Sequence, residues 1–153
     1  MSEVATRTLV RGTESRAIAA NGDATLLEVI RAELGVRSAS RGCDDKTCGA
    51  CRVLLEGEIV SSCALPWRDV LDGARLETYE DIESDPAAIR AVASFDAERT
   101  TRCKLCVGAL GVTAVSLARG GHYGDPDRVE AALTNATCMC TGRGSLRRAL
   151  LAP

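Results

Sequence analysis

The segment Gly42-Cys43-Asp44-Asp45-Lys46-Thr47-Cys48-Gly49-Ala50-Cys51 crowds three cysteines into nine positions, and a fourth, Cys63, follows after eleven intervening residues. A C-x4-C-x2-C run completed by a distant cysteine is the plant-type spacing of a 2Fe–2S cluster. The rival reading is structural zinc, whose sites ordinarily pair one short Cys-x2-4-Cys with a second short pair. Here the fourth cysteine stands alone, and Gly42, Gly49 and Ala50 leave room for backbone to close over inorganic sulfide. The segment therefore predicts a cluster-binding loop.

The remaining four cysteines are Cys103-x2-Cys106 and, 31 residues further on, Cys138-x-Cys140. Taken alone, this spacing suits zinc as well as a cluster. Each set of four is confined to its own half of the chain, which predicts two metal centres. A chain of 153 residues with two redox centres is most simply an electron conduit.

Composition narrows the function classes. Aromatic residues make up 3% of the chain and the net charge is −2 with no basic stripe, so nucleic acid is not expected as a partner. A hydrophobic share of 46% beside 26% charged residues is that of a soluble globular protein. The first fifteen residues are charged throughout, without the apolar core of a secretory signal. No run of about 18 apolar residues could span a membrane. Eight cysteines without a signal peptide read as metal ligands in a reducing cytoplasm, not as a disulfide framework. No catalytic dyad, phosphate loop or spare nucleophilic cysteine is visible, so catalytic residues are expected to be none.

The order of elements predicts an α+β chain. Arg7–Val10 and Ser15–Ala20 read as strands, Ala24–Leu34 as a helix stopped by Gly35, and residues 53–60 as a hairpin turning at Glu56-Gly57-Glu58. The cysteine loop lies between that helix and that hairpin. The second half reads as helical: one helix from Asp85-Pro86, an apolar one over 107–117, one from Asp125-Pro126, and a short one from Gly144 to Leu151. The domain boundary is placed at residues 82/83. The acidic run Glu77, Glu80, Asp81, Glu83 and Asp85 reads as a solvated linker, with a partner-orienting role as the minor alternative. Trp67 reads as packing beneath the approach to the second domain, and His122, the single histidine, as a surface residue.

Both cysteine sets in this order resemble the small iron–sulfur subunit of the molybdenum hydroxylases, the xanthine dehydrogenase and carbon monoxide dehydrogenase family. Gly42-Cys43 with Cys48-Gly49-Ala50-Cys51 matches the family's first motif, and Ser62-Cys63 matches its fourth ligand. Cys103-Lys104-Leu105-Cys106 matches its Cys-Gly-x-Cys pair in spacing, and Cys138-Met139-Cys140-Thr141-Gly142 matches its Cys-Arg-Cys-Thr-Gly segment. The resemblance covers nearly the whole chain. It implies a β-grasp plant-type ferredoxin domain over residues 1–82 and a four-helix 2Fe–2S domain over 83–153. It also implies that Cys43, Cys48, Cys51 and Cys63 hold the centre facing a flavin, and that Cys103, Cys106, Cys138 and Cys140 hold the one near molybdenum.

The same resemblance implies a role as a non-catalytic electron-transfer subunit of a molybdenum-dependent oxidoreductase. The implied partners are a large molybdopterin-binding catalytic subunit and a medium subunit carrying FAD. The helix over 107–117 and the segment around Cys138 are the expected docking surfaces. Several positions depart from the family pattern: Lys46 replaces a glycine, Ser38-Ala39-Ser40 a Gly-Thr-Lys stretch, Val107-Gly108-Ala109 a Thr-Pro-Gly stretch, Asn135-Ala136-Thr137 a Gly-Asn-Leu stretch, and Met139 an arginine. Arg102 stands where relatives carry the Gln that reaches the pterin, which makes it the candidate pterin contact and a cation beside the second centre. A free-standing ferredoxin shuttle and a zinc-stabilised interaction module remain open as alternative readings.

Overall fold

The computed structural model describes residues 3–98 and 104–153. Its first half is a five-stranded sheet crossed by one helix. The strands are β1 (Val4–Arg11), β2 (Glu14–Asn21), β3 (Arg52–Leu55), β4 (Glu58–Ser61) and β5 (Ala74–Glu77), in spatial order β2-β1-β5-β3-β4. β1 pairs antiparallel with β2 and parallel with β5, and β3 pairs antiparallel with both β4 and β5. In the hairpin Leu55 faces Glu58, so Glu56 and Gly57 form a two-residue turn.

Helix α1 (Leu26–Leu34) begins at a capping box: Thr25 Oγ1 accepts from Glu28 N–H, and the Glu28 carboxylate accepts from Thr25 N–H. It ends at Gly35, whose φ of 66° lies in the left-handed region that a helix stop of this kind requires. Its apolar face, Leu26, Leu27, Val29 and Ile30, packs on Leu9, Ile18, Val53 and Leu76 of the sheet. Burying each large aliphatic side chain contributes roughly 1.5–3 kcal/mol. Trp67 belongs to this first core, fully buried, with Nε1–H donating to Ala5 O at 2.8 Å. It does not lie under the approach to the helices as the sequence suggested.

The chain then continues through α2 (Tyr79–Ile82), α3 (Pro86–Glu98), α4 (Val107–Arg119), α5 (Pro126–Ala132) and α6 (Arg143–Leu151). A second core gathers Phe95 of α3, Leu110 and Leu117 of α4, Val129 of α5 and Leu146 and Leu150 of α6. A third cluster joins the two halves: Leu54 of β3 meets Ile82, Ala88, Val112 and Val115. Successive strand residues point to opposite faces, so Val53 enters the first core while Leu54 enters this seam. That double coverage is why Val53-Leu54-Leu55 reads as a continuous apolar run and not as an alternation.

Two expectations are corrected here. Helix α4 is buried within its own chain, from Gly108 to Val115 and again at Leu117, so it offers no broad docking face. Its packing is close: a Cβ at Gly111 would sit 2.4 Å from the Tyr79 ring, and one at Gly108 would sit 2.7 Å from Ser38 O. The acidic run is not a solvated linker either. Glu77 pairs with Arg119 at 2.7 Å, and Asp81 pairs with Arg11 at 2.9 Å while closing a capping box with Thr78. Glu80 accepts from the N–H groups of Arg37 and Ser38, both at 2.8 Å, and the Asp85 carboxylate accepts from Ala87 N–H at 2.9 Å. Glu77, Glu80 and Asp81 thus find donors in distant segments, whereas Asp85 has a local one and Glu83 stays exposed. Two residues near the cysteines hold left-handed backbone without being glycine: Lys46 at φ 62° and Asn135 at φ 56°. Asparagine tolerates that conformation far better than lysine does.

Candidate metal centres

The first cysteine loop is tethered at its base. Ser40 N–H donates to Ala50 O at 3.1 Å, and Arg31 of α1 donates from Nη1 to Ala39 O at 2.6 Å. Inside the loop two backbone N–H groups point at sulfur: Cys48 N–H at Cys43 Sγ (3.3 Å) and Ala50 N–H at Cys48 Sγ (3.4 Å). A Cβ at Gly42 would lie 2.8 Å from Cys48 Sγ, so only glycine lets the backbone pass so close to that thiol. Cys63 arrives from the end of β4. Ser62 Oγ donates to Cys51 O at 2.5 Å, and that bond holds the fourth cysteine beside the third.

All four cysteines line one pocket together with Ser40, Arg41, Gly42, Lys46 and Gly49. Cys48, Cys51 and Cys63 are buried and Cys43 is half-buried. The Cys48 N–H facing it lowers the pKa of Cys43. Burial raises that of Cys48, and burial with the neighbouring Cys51 pushes Cys63 up to about 11. Thiols this crowded ionise together only beside a cation, which is the condition a metal centre supplies. Backbone donors on sulfur, a glycine approach and four converging thiols fit a 2Fe–2S group. Among the described residues no three His, Cys, Asp or Glu side chains converge tightly enough to grip a single metal ion.

In the second set, Cys106 caps the start of α4 and Cys138 sits in the turn before α6, where Gly142 N–H donates to Cys138 O at 2.8 Å. Both are buried, whereas Cys140 is exposed. Burial, with Cys138 beside it, pushes the Cys106 thiol up to about 12. Burial also raises Cys138, but the Thr141 hydroxyl and the N–H groups of Cys140 and Thr141 outweigh it and leave that thiol lowered. Two buried thiols side by side, Cys106 at the head of α4 and Cys138 in the turn before α6, fit a second thiolate-bound group. Cys103 and Arg102 lie outside the described residues. His122 lines neither cysteine pocket.

The two sets abut. Cys48 of the first and Cys106 of the second line one narrow apolar cavity with Leu110, Leu133, Ala136 and Leu150. Gly49, at φ 73°, rests on the Asn135–Ala136 backbone, where a Cβ would fall 2.9 Å from Asn135 O. Arg52 enters the same cavity from β3, only 6% exposed, and its presence there was not anticipated from the sequence. The available signal was a charged residue next to a cysteine ligand at the head of the apolar run Val53-Leu54-Leu55.

Residues 9–80 match a family model described as a 2Fe-2S iron-sulfur cluster binding domain. The chain is 29% identical over 136 residues to the nicotine 6-hydroxylase small subunit of Paenarthrobacter nicotinovorans, covering 89% of this chain and 81% of the relative. It is 26% identical over 129 residues to the nicotinate dehydrogenase small FeS subunit of Eubacterium barkeri, covering 84% and 82%. The chain is thus similar to the small iron–sulfur subunits of the molybdenum hydroxylases, and its first half matches a 2Fe-2S cluster binding domain. Its fold agrees with that likeness. A chain of quinoline 2-oxidoreductase from Pseudomonas putida superposes with a TM-score of 0.79 over 99% of this chain and 93% of that one, at 22% identity. As in the sequence-based expectation, the chain joins a ferredoxin-like α+β half to a helical half.

Proposed function

We propose that this chain is the electron-transfer subunit of a multi-subunit molybdenum-cofactor oxidoreductase, carrying two 2Fe–2S clusters in series. In this reading residues 1–82 hold one cluster through Cys43, Cys48, Cys51 and Cys63, and residues 83–153 hold the other through Cys103, Cys106, Cys138 and Cys140. Each 2Fe–2S group supplies one-electron redox chemistry, so two of them can relay a pair drawn from a two-electron site. The partners are a large molybdopterin-binding catalytic subunit on the helical side and a flavin-binding subunit on the sheet side, in the cytoplasm. Arg102 is the candidate pterin contact. The observation that carries the reading is the abutment of the two cysteine sets across the cavity shared by Cys48 and Cys106. A free shuttle has no use for a second four-cysteine set packed against the first.

The test is metal analysis and spectroscopy of the purified holo-protein. About four irons and four acid-labile sulfides, with two distinct S = 1/2 EPR signals after dithionite, are expected. Stoichiometric zinc, or an iron content near two, would overturn the two-cluster reading. Large partner chains copurifying from the native host are expected, and a chain that runs alone would favour the shuttle.

A further inference from the structure

Arg52 is a buried cation whose described polar contacts are all neutral. Nη1 donates to Thr113 Oγ1 at 3.1 Å and to Ala132 O at 2.6 Å, Nη2 donates to Thr134 O at 2.7 Å, and Nε has no hydrogen-bond partner. No carboxylate among the described residues pairs with it; Cys51 precedes it in the chain and Cys48 lines the same cavity. Removing a guanidinium from water costs several kcal/mol unless a negative group compensates. Thiolates of the first set lie next to it in the chain, and its cavity reaches Cys106 of the second. A four-thiolate 2Fe–2S group is itself anionic and gains one further negative charge on reduction.

We propose that Arg52 is the shared counter-charge of the two centres and the clasp that holds them together. The inference rests on the two-cluster reading above. Its charge favours the reduced form of the sheet-side centre most, because Cys51 and Cys48 are nearest, and that of the helical centre less. Its planar fork spans the Ala132 and Thr134 carbonyls, which ties β3 to the end of α5, a geometry a point-charge ammonium cannot reproduce.

The experiment is a mediated redox titration of the holo-protein followed by EPR, for wild type, Arg52→Gln and Arg52→Lys. Arg52→Gln is expected to keep both signals and lower both midpoint potentials, the sheet-side one more. Arg52→Lys is expected to hold both near wild type while the chain is cleaved faster around residues 132–142 in limited proteolysis. Unmoved potentials in a folded Arg52→Gln protein, or a larger shift at the helical centre, would overturn the proposal. Should Arg52→Gln fail to fold, Arg52→Lys decides: potentials held support the counter-charge, and lowered potentials reject it. Wild-type protein lacking the two signals would overturn the underlying reading, a result distinct from intact signals with unmoved potentials.

Discussion

Thr137 N–H donates to the Cys48 carbonyl at 3.0 Å, so the strand of chain entering Cys138 is hydrogen-bonded to a cysteine of the other set. This one contact joins residues 89 positions apart and brings the two cysteine groups to adjacent backbone atoms. It also means that the first loop is built partly by the second half of the chain, which shapes the outcomes expected below.

Cys48→Ser is expected to remove the sheet-side EPR signal and leave the helical one, because the Cys48 carbonyl, and with it the Thr137 bond, is retained by serine. Loss of both signals from a folded protein would show that the ligands are not divided between the halves. Cluster binding can contribute to folding, so circular dichroism accompanies the measurement.

Gly49→Ala is expected to destabilise by about 1–3 kcal/mol, since a residue with a side chain is strained at φ 73° and its Cβ meets Asn135 O, Arg52 Nε and Ala136 within 3.2 Å. Chemical denaturation of the holo-protein measures it. The physical consequence should fall on the seam: the Thr137–Cys48 bond lengthens before either core is touched. A neutral result would mean that the two halves separate without cost at this point.

Lys46→Gly places glycine at a left-handed position. Relief of strain of about 1–2 kcal/mol is partly offset by the greater freedom glycine gives the unfolded chain. Stability should therefore rise by up to about 1 kcal/mol, read from the denaturation midpoint. A loss of that size would instead assign the Lys46 side chain a contact role in the pocket it lines.

Glu80 gives a pH dependence with a defined sign. Burial alone would raise its pKa, but the Ser38 hydroxyl and the N–H groups of Ser38 and Arg37 outweigh it and hold the carboxyl at about 2. A folded-state value below the unfolded one stabilises fully above about pH 5, and that contribution is lost as pH falls from about 4.5 through 2. Because the carboxylate lies at the surface, solvent screening keeps the effect modest. In acid titrations followed by circular dichroism, the stability gap between wild type and Glu80→Gln should close across that window. A gap that stays constant would show that the Ser38 bonds do not persist in solution.

What could be read locally was read from the chain itself. The plant-type Cys43-x4-Cys48-x2-Cys51 spacing, the first helix with its Gly35 stop, the hairpin at Glu56-Gly57 and the four helices after Asp85 all depend on residues close to one another in the chain. Such signals are set by backbone sterics and local hydrogen bonding, which act wherever the segment sits. Other features needed the tertiary structure. Strand β5, Ala-Arg-Leu-Glu, has no β-branched or aromatic residue and exists because β1 and β3 pair with its two edges. The burial of α4, the pairing of Glu77, Glu80 and Asp81, and the place of Trp67 followed from which surfaces met. Arg52 is the sharpest case: a cation beside a ligand cysteine looks like an exposed loop residue until Thr113, Ala132 and Thr134 close around it. Nonlocal contact, not propensity, decides whether a charge is solvated or becomes part of a site.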